Sequence, residues 1–308
     1  MLGAAVGGPI RAHGLTMDRT MAALVRFVRR MENQPRPSLR QLRTLYAEAP
    51  KLTGLAPDRS VGVRELMAGG CAARLYEPPG LPPGASTMLW FHGGGFIVGS
   101  VATHDALCRR LAARARVRVL GADYRLAPEH KFPAAHDDAA SVLAWARANL
   151  PGPLLLGGDS AGGNLAAGLA QDGGVRLQVL LYPVVDMVHI EGTYPSLDQF
   201  ADGYLLTAQG MVECGRLLMP EGQDRADPRL SPLRADLSHA APALIMTAGF
   251  DPLRDQGAAY AAAMRTSGRP ATLLEEPLLV HGFADFAGVV PEARRAVDRL
   301  AAAIRAAL

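Results

Sequence analysis

The chain has 308 residues, 49% hydrophobic and 20% charged, with a formal charge of +3 at pH 7. That composition excludes a disordered segment, which requires high charge and few apolar groups, and allows a large core. The arginine groups Arg26, Arg29, Arg30 and Arg109, Arg110, Arg114 recur at helical intervals without interleaved aromatics, so they read as solvated helix faces and no nucleic-acid partner is expected.

The opening residues, MLGAAVGGPIRAHG, lack a charged segment followed by a long apolar block, and no run approaches the roughly 18 apolar residues that a membrane helix needs. Neither export nor a membrane span is expected. His13 falls in what reads as a frayed terminus. Residues 17 to 49 read as two helices, broken at NQPRPS by Pro35 and Pro37. Residues 61 to 76 form two β-rich runs around an AGG turn, a hairpin signal. Short apolar runs follow at 86 to 91, 117 to 123, 153 to 158, 177 to 184, 242 to 249 and 271 to 276. Between most of them lie alanine-rich amphipathic helices, at 102 to 116, 134 to 149, 161 to 171, 253 to 267 and 291 to 307. Such alternation of helices with uniformly apolar strands predicts an α/β fold with a mostly parallel sheet covered on both faces. The interval 185 to 241, too long for one crossover, reads as an insertion above the sheet with a helix near 208 to 218. Three cysteines, Cys71, Cys108 and Cys214, make no C-x-x-C pair and read as reduced thiols in a cytoplasmic protein.

Ligands of such sheets sit beyond the carboxyl ends of the strands, so the loops after the strands carry the candidate site. After the third apolar run comes GDSAG, residues 158 to 162, which fits G-x-S-x-G between a strand and a helix and marks Ser160 as a nucleophile. No Lys follows it as a phosphate-binding loop would need. A serine hydroxyl requires a base, and among eight histidines only His281 lies late in the chain in a loop directly after a strand. His104, His136, His189 and His239 sit on helices or in the insertion, where surface or packing roles are expected. Asp251 directly follows the strand 242 to 249 and is favoured as the acid that orients the base; Asp255, one turn into the next helix, reads as a cap or an arginine partner. The order serine, aspartate, histidine is that of an α/β-hydrolase. Three consecutive glycines, 93 to 95, then have a use: Gly94 and Gly95 offer bare N–H groups to an oxyanion, and Ala161 offers a third.

HGGGF (92 to 96), DYRLAPEHKFPA (123 to 134), GDSAGGN (158 to 164), LLYPVVD (180 to 186), DPLRD (251 to 255) and HGF (281 to 283) together resemble the hormone-sensitive-lipase family of α/β-hydrolases, bacterial carboxylesterases with an HGGG loop. The resemblance covers residue 60 to the end. It implies an α/β-hydrolase fold of about eight strands, a Ser160, Asp251, His281 triad, and oxyanion donors at Gly94, Gly95 and Ala161. It also implies supporting roles for His92, Gly93, Glu129 and Asp159. Residues 1 to 55 and an insertion of about 187 to 225 would form a cap on a catalytic domain of 56 to 308, with Phe96, Tyr204, Leu205 and Leu206 lining the substrate pocket. Lys131 departs from the proline usual in the family. The expected reaction is hydrolysis of short- to medium-chain esters, without metal or cofactor, by a monomer or homodimer. An amidase or acyltransferase with the same triad, or a receptor on the same fold that does no chemistry, are the alternatives.

Overall fold

A computed structural model describes residues 8–31, 37–188 and 192–308. The chain starts with a two-stranded hairpin, β1 (Arg11–Ala12) and β2 (Leu15–Thr16), turned at His13 and Gly14, which have φ of +49° and +77°. Paired positive φ angles suit such a two-residue turn. His13 is therefore part of a folded hairpin instead of a frayed end, and its ring meets Phe200 edge-on at 5.4 Å. Helix α1 (Arg19–Met31) follows, its first amides capped by the Asp18 carboxylate, which accepts from Thr20 and Met21 at 2.9 and 3.0 Å. Helix α2 (Leu39–Thr53) starts on a capping box of Ser38 and Gln41. The expected break at Pro35 and the placement of His189 fall outside the described residues.

The main sheet comprises β3 (Gly62–Ala68), β4 (Cys71–Glu77), β5 (Thr87–Phe91), β6 (Arg118–Ala122), β7 (Leu154–Asp159), β8 (Leu177–Leu181), β9 (Ala243–Phe250) and β10 (Ala271–Val280). Their spatial order is β10, β9, β8, β7, β5, β6, β4, β3. β4 is antiparallel to both β3 and β6, and every other pairing is parallel. The crossovers are α3 (Asp105–Ala115), α4 (Ala134–Asn149), α5 (Ala161–Leu169) and α8 (Arg254–Thr266), and α9 (Pro291–Ala306) ends the chain. Between β8 and β9 lie the short α6 (Pro195–Gln199) and α7 (Ala208–Leu218), as the long insertion requires.

Covered on both faces, the central strands are buried at every position, which explains their unbroken apolar sequences. Successive side chains of β5 serve opposite cores: Met88 and Trp90 pack with α3 and α9, Leu89 and Phe91 with α4 and α5. β10 runs beyond the expected end at 276 because Pro277, which cannot donate a ladder hydrogen bond, sits on an edge strand where the register shifts between Glu276 and Val280. That extension delivers His281 to the carboxyl edge of the sheet.

Candidate active site

Ser160 occupies the sharp turn between β7 and α5, with φ of +53° and ψ of −115°. A non-glycine residue in that region costs on the order of 1–3 kcal/mol, so its surroundings must hold it. They do so at the backbone: Ser160 N–H donates to Leu181 O at 2.9 Å, and its carbonyl accepts from Asn164 and Val184 at 3.1 and 3.2 Å. Small flanking residues are compulsory because α5 starts against the end of β5. A Cβ on Gly158 would lie 2.6 Å from Phe91 O, and one on Gly162 2.6 Å from His92 O.

The loops after β9 and β10 bring two further residues to that turn. Ser160 Oγ and His281 Nε2 are 2.9 Å apart, and His281 Nδ1 lies 2.8 Å from Asp251 Oδ2. A carboxylate only accepts, so Nδ1 carries the hydrogen and Nε2 presents its lone pair to the serine hydroxyl. Asp251 is fully buried, and its other oxygen accepts the Leu253 amide at 2.8 Å, which fixes the carboxylate plane. The Tyr182 ring packs on His281 at 4.8 Å. Asp255 is spent elsewhere, accepting from Ser196 N–H and pairing with Arg254, both at 2.8 Å.

The glycine loop lies beside this chain of groups. Gly94 and Gly95 have φ of +115° and +60°, in the left-handed half of conformational space that disfavours side chains. Space is also short: a Cβ on Gly95 would stand 2.6 Å from the Cys214 sulfur of α7. Among the described residues, the N–H groups of Gly94, Gly95 and Ala161 donate to no protein acceptor. Gly93 differs, since its N–H donates to Asp159 Oδ1 at 3.1 Å. His92 is buried, stacked on Tyr124 at 4.3 Å, and its carbonyl accepts the Tyr124 hydroxyl at 2.7 Å. Burial and the neighbouring His104 push the His92 ring down to about 3, so it stays neutral, with Nδ1 donating to Gly93 O at 2.8 Å.

Glu129 reaches the loop only indirectly. It pairs with Arg43 of α2 at 2.7 Å, and the same guanidinium donates to Ile97 O at 2.8 Å and Ala127 O at 2.9 Å. Phe96, expected in the pocket, turns its ring into the core against His136. Tyr204 and Leu205 pack on the core as well, Tyr204 between Phe200 and Phe250 with Arg29 over its ring; Leu206 is half-buried beside them. Three contributors escaped the sequence reading: Arg43, His104 and Asp285. His104 is buried with Nε2 3.3 Å from Asp159, and Asp285 accepts the Tyr46 hydroxyl of α2 at 3.2 Å. Their carboxylate and phenol partners, Glu129 for Arg43, Asp159 for His104 and Tyr46 for Asp285, lie 86, 55 and 239 positions away, beyond any local signal.

The model of the alpha/beta hydrolase fold matches residues 88–285. Carboxylic ester hydrolase LipN of Mycobacterium tuberculosis (strain ATCC 25618 / H37Rv) is 42% identical over 78% of this chain and 68% of its own length. Carboxylesterase NlhH of the same strain is 38% identical over 89% of this chain and 88% of its own. Among solved structures, an ester hydrolase from the metagenome of Lake Arreo, complexed with a bipyridine phosphonate derivative, superposes with a TM-score of 0.86 at 34% identity, covering 94% of this chain and 98% of that one. The hyperthermophilic esterase of Pyrobaculum calidifontis gives 0.83 at 36% identity, over 92% and 97% of the two chains.

Proposed function

The chain belongs to the α/β-hydrolase family, among the bacterial carboxylesterases related to hormone-sensitive lipase, and from that premise we propose that it hydrolyses carboxylic esters through an acyl-enzyme on Ser160. Ser160 Oγ attacks the ester carbonyl carbon while His281 Nε2 takes the hydroxyl proton. The carbonyl oxygen becomes an oxyanion, received by the free amides of Gly94, Gly95 and Ala161. Each such donor contributes about 10² to 10³ in rate. Collapse expels the alcohol, which recovers its proton from His281. Water then attacks the acyl-serine with His281 again as base, releasing the acid and restoring the hydroxyl. Asp251 holds the ring in the required tautomer and stabilises the imidazolium as it forms.

The observation that carries this reading is the continuous hydrogen-bond chain from Ser160 through His281 to a buried Asp251, at 2.9 and 2.8 Å. Ser160→Ala is expected to abolish turnover of p-nitrophenyl butyrate and labelling by a fluorophosphonate, with the unfolding temperature unchanged; full activity in that variant overturns the reading. The helices α1, α2, α6 and α7 act as a cap over a pocket for short and medium acyl chains, and a rate series from acetate to laurate tests it. Three unpaired cysteines support a cytoplasmic setting. Among the described residues no helix is long and apolar enough to cross a membrane.

A further inference from the structure

His104 is the N-cap residue of α3, and its side chain is 2% exposed. Its protonation follows from counting hydrogens. Thr103 has one hydroxyl proton, and Ser100 O, which can only accept, takes it at 2.7 Å. Both lone pairs of Thr103 Oγ1 are left to accept. One receives Ser100 N–H at 3.0 Å, and the other faces His104 Nδ1 at 2.8 Å, so Nδ1 carries a hydrogen. On the opposite side Nε2 faces Asp159 Oδ2 at 3.3 Å while Oδ1 accepts Gly93 N–H, and a carboxylate only accepts, so beside an ionised Asp159 Nε2 donates too. A ring with both nitrogens protonated is an imidazolium.

We propose that His104 is a positioning residue for ester hydrolysis: a buried imidazolium, charged at neutral pH, that fixes the Asp159 carboxylate and, through the Gly93 amide, sets the path of the glycine loop. The inference rests on the reading of Gly94 and Gly95 as oxyanion donors. Asp159 is the residue before Ser160, and a Cβ on Gly93 would stand 3.1 Å from its carboxylate carbon, so the carboxylate lies directly against the glycine loop. The pair therefore joins the turn that carries the nucleophile to the loop that carries the amides.

Electrostatics support the count. Burial favours a neutral ring, but the charge and hydrogen bond of Asp159 outweigh it and raise His104 to about 9. Burial likewise works against an ionised Asp159, but the charge and hydrogen bond of His104 keep it below the usual carboxylate value. The other titratable groups facing the ring are neutral His92 from the glycine loop, Asp123 after β6 and Asp285 after β10.

The test is a nitrogen–proton correlation spectrum of the histidine rings in protein carrying ¹⁵N-histidine, with His104 assigned by its loss in His104→Gln. At about neutral pH both His104 nitrogens are expected to be protonated, the ring losing its proton only as pH rises through about 9. In Asp159→Asn, which removes the counter-charge, the same ring is expected to be neutral. A neutral wild-type ring, as when a protonated Asp159 donates to it, overturns the proposal. His104→Gln is expected to lower kcat on p-nitrophenyl butyrate by roughly 10- to 100-fold with KM little changed, because a displaced donor hurts the transition state most. Affinity for a trifluoromethyl ketone, which forms an oxyanion on the serine, falls in parallel. Wild-type kcat and inhibitor affinity in that variant overturn the positioning role. If His104→Gln does not fold, the wild-type and Asp159→Asn spectra still decide the charge. Activity surviving in Ser160→Ala breaks the esterase reading instead, without moving the ring spectrum.

Discussion

The central strands and helix α2 are held by opposite means. Every residue of β5, β7, β8 and β9 is buried, whereas α2 buries none completely and leaves Leu45 and Leu52 60% and 80% exposed. Leu39, Leu42 and Tyr46 pack on the core only in part, and the specific attachments of α2 are polar. Arg43 reaches Ile97 O and Ala127 O, the Tyr46 hydroxyl and Thr53 hydroxyl donate to the carboxylate and carbonyl of Asp285, and Gly288 N–H donates to Thr53 O at 3.0 Å. Apolar burial stabilises by about 25 cal/mol per Å², summed over the whole sheet, while each hydrogen bond nets about 1 kcal/mol. The central strands are therefore expected to open only with global unfolding, and α2 to part from them at much lower cost. Yet anchors of α2 lie on the two loops that flank Ser160, one carrying Ile97 and the other His281 and Asp285, with Ala127 on the loop after β6. A weakly held element thus braces the strongly held one at its reactive edge.

Substitutions can break or sharpen that contrast. The largest effect is expected in the core half at Asp251→Asn, which keeps the volume but offers the wrong tautomer to His281; kcat on an ester should fall by about 10⁴-fold without loss of fold. Phe250→Ala, at a fully buried strand position, should cost about 3–5 kcal/mol in chemical denaturation. Arg43→Gln should cost only about 1–2 kcal/mol, since its side chain is partly exposed. In that variant hydrogen exchange should quicken in α2 and leave the sheet amides unchanged; equal acceleration in both would end the distinction. The smallest effect concerns Asp285. Burial raises its carboxyl to about 6 despite the opposing charge of His104, so between its ordinary value of 3.8 and about 6 the folded protein holds a proton that the unfolded chain releases. This group's contribution to stability therefore declines as pH rises through that window. Asp285→Asn removes the titration, so the unfolding temperature of the variant relative to wild type should increase across the same interval.

Much of the architecture is legible in the amino-acid sequence. The alternation of apolar runs with amphipathic segments marks all eight strands of the main sheet to within a few residues, and α4 to the residue. Ser160, Asp251 and His281 could be picked out because each follows directly on a strand, where the parallel fold collects its loops. β10 continues past the expected 276 because a bulged edge strand tolerates Pro277 where an interior strand would not. The turn at His13 and Gly14 was too short to show a periodic pattern.

The linear order of residues carries whatever is dictated by neighbours: period, turn geometry, and glycine where backbones touch or φ is positive. It could not carry the pairing of His104 with Asp159, of Arg43 with Glu129, or of Tyr46 with Asp285, separated by 55, 86 and 239 positions. Charge and hydrogen-bond complementarity between such groups arise only when strand order and helix docking bring them within about 3 Å, a distance on which hydrogen bonding depends steeply. Packing in three dimensions alone decided which histidine is buried as a charge, which stays neutral, and which faces the serine.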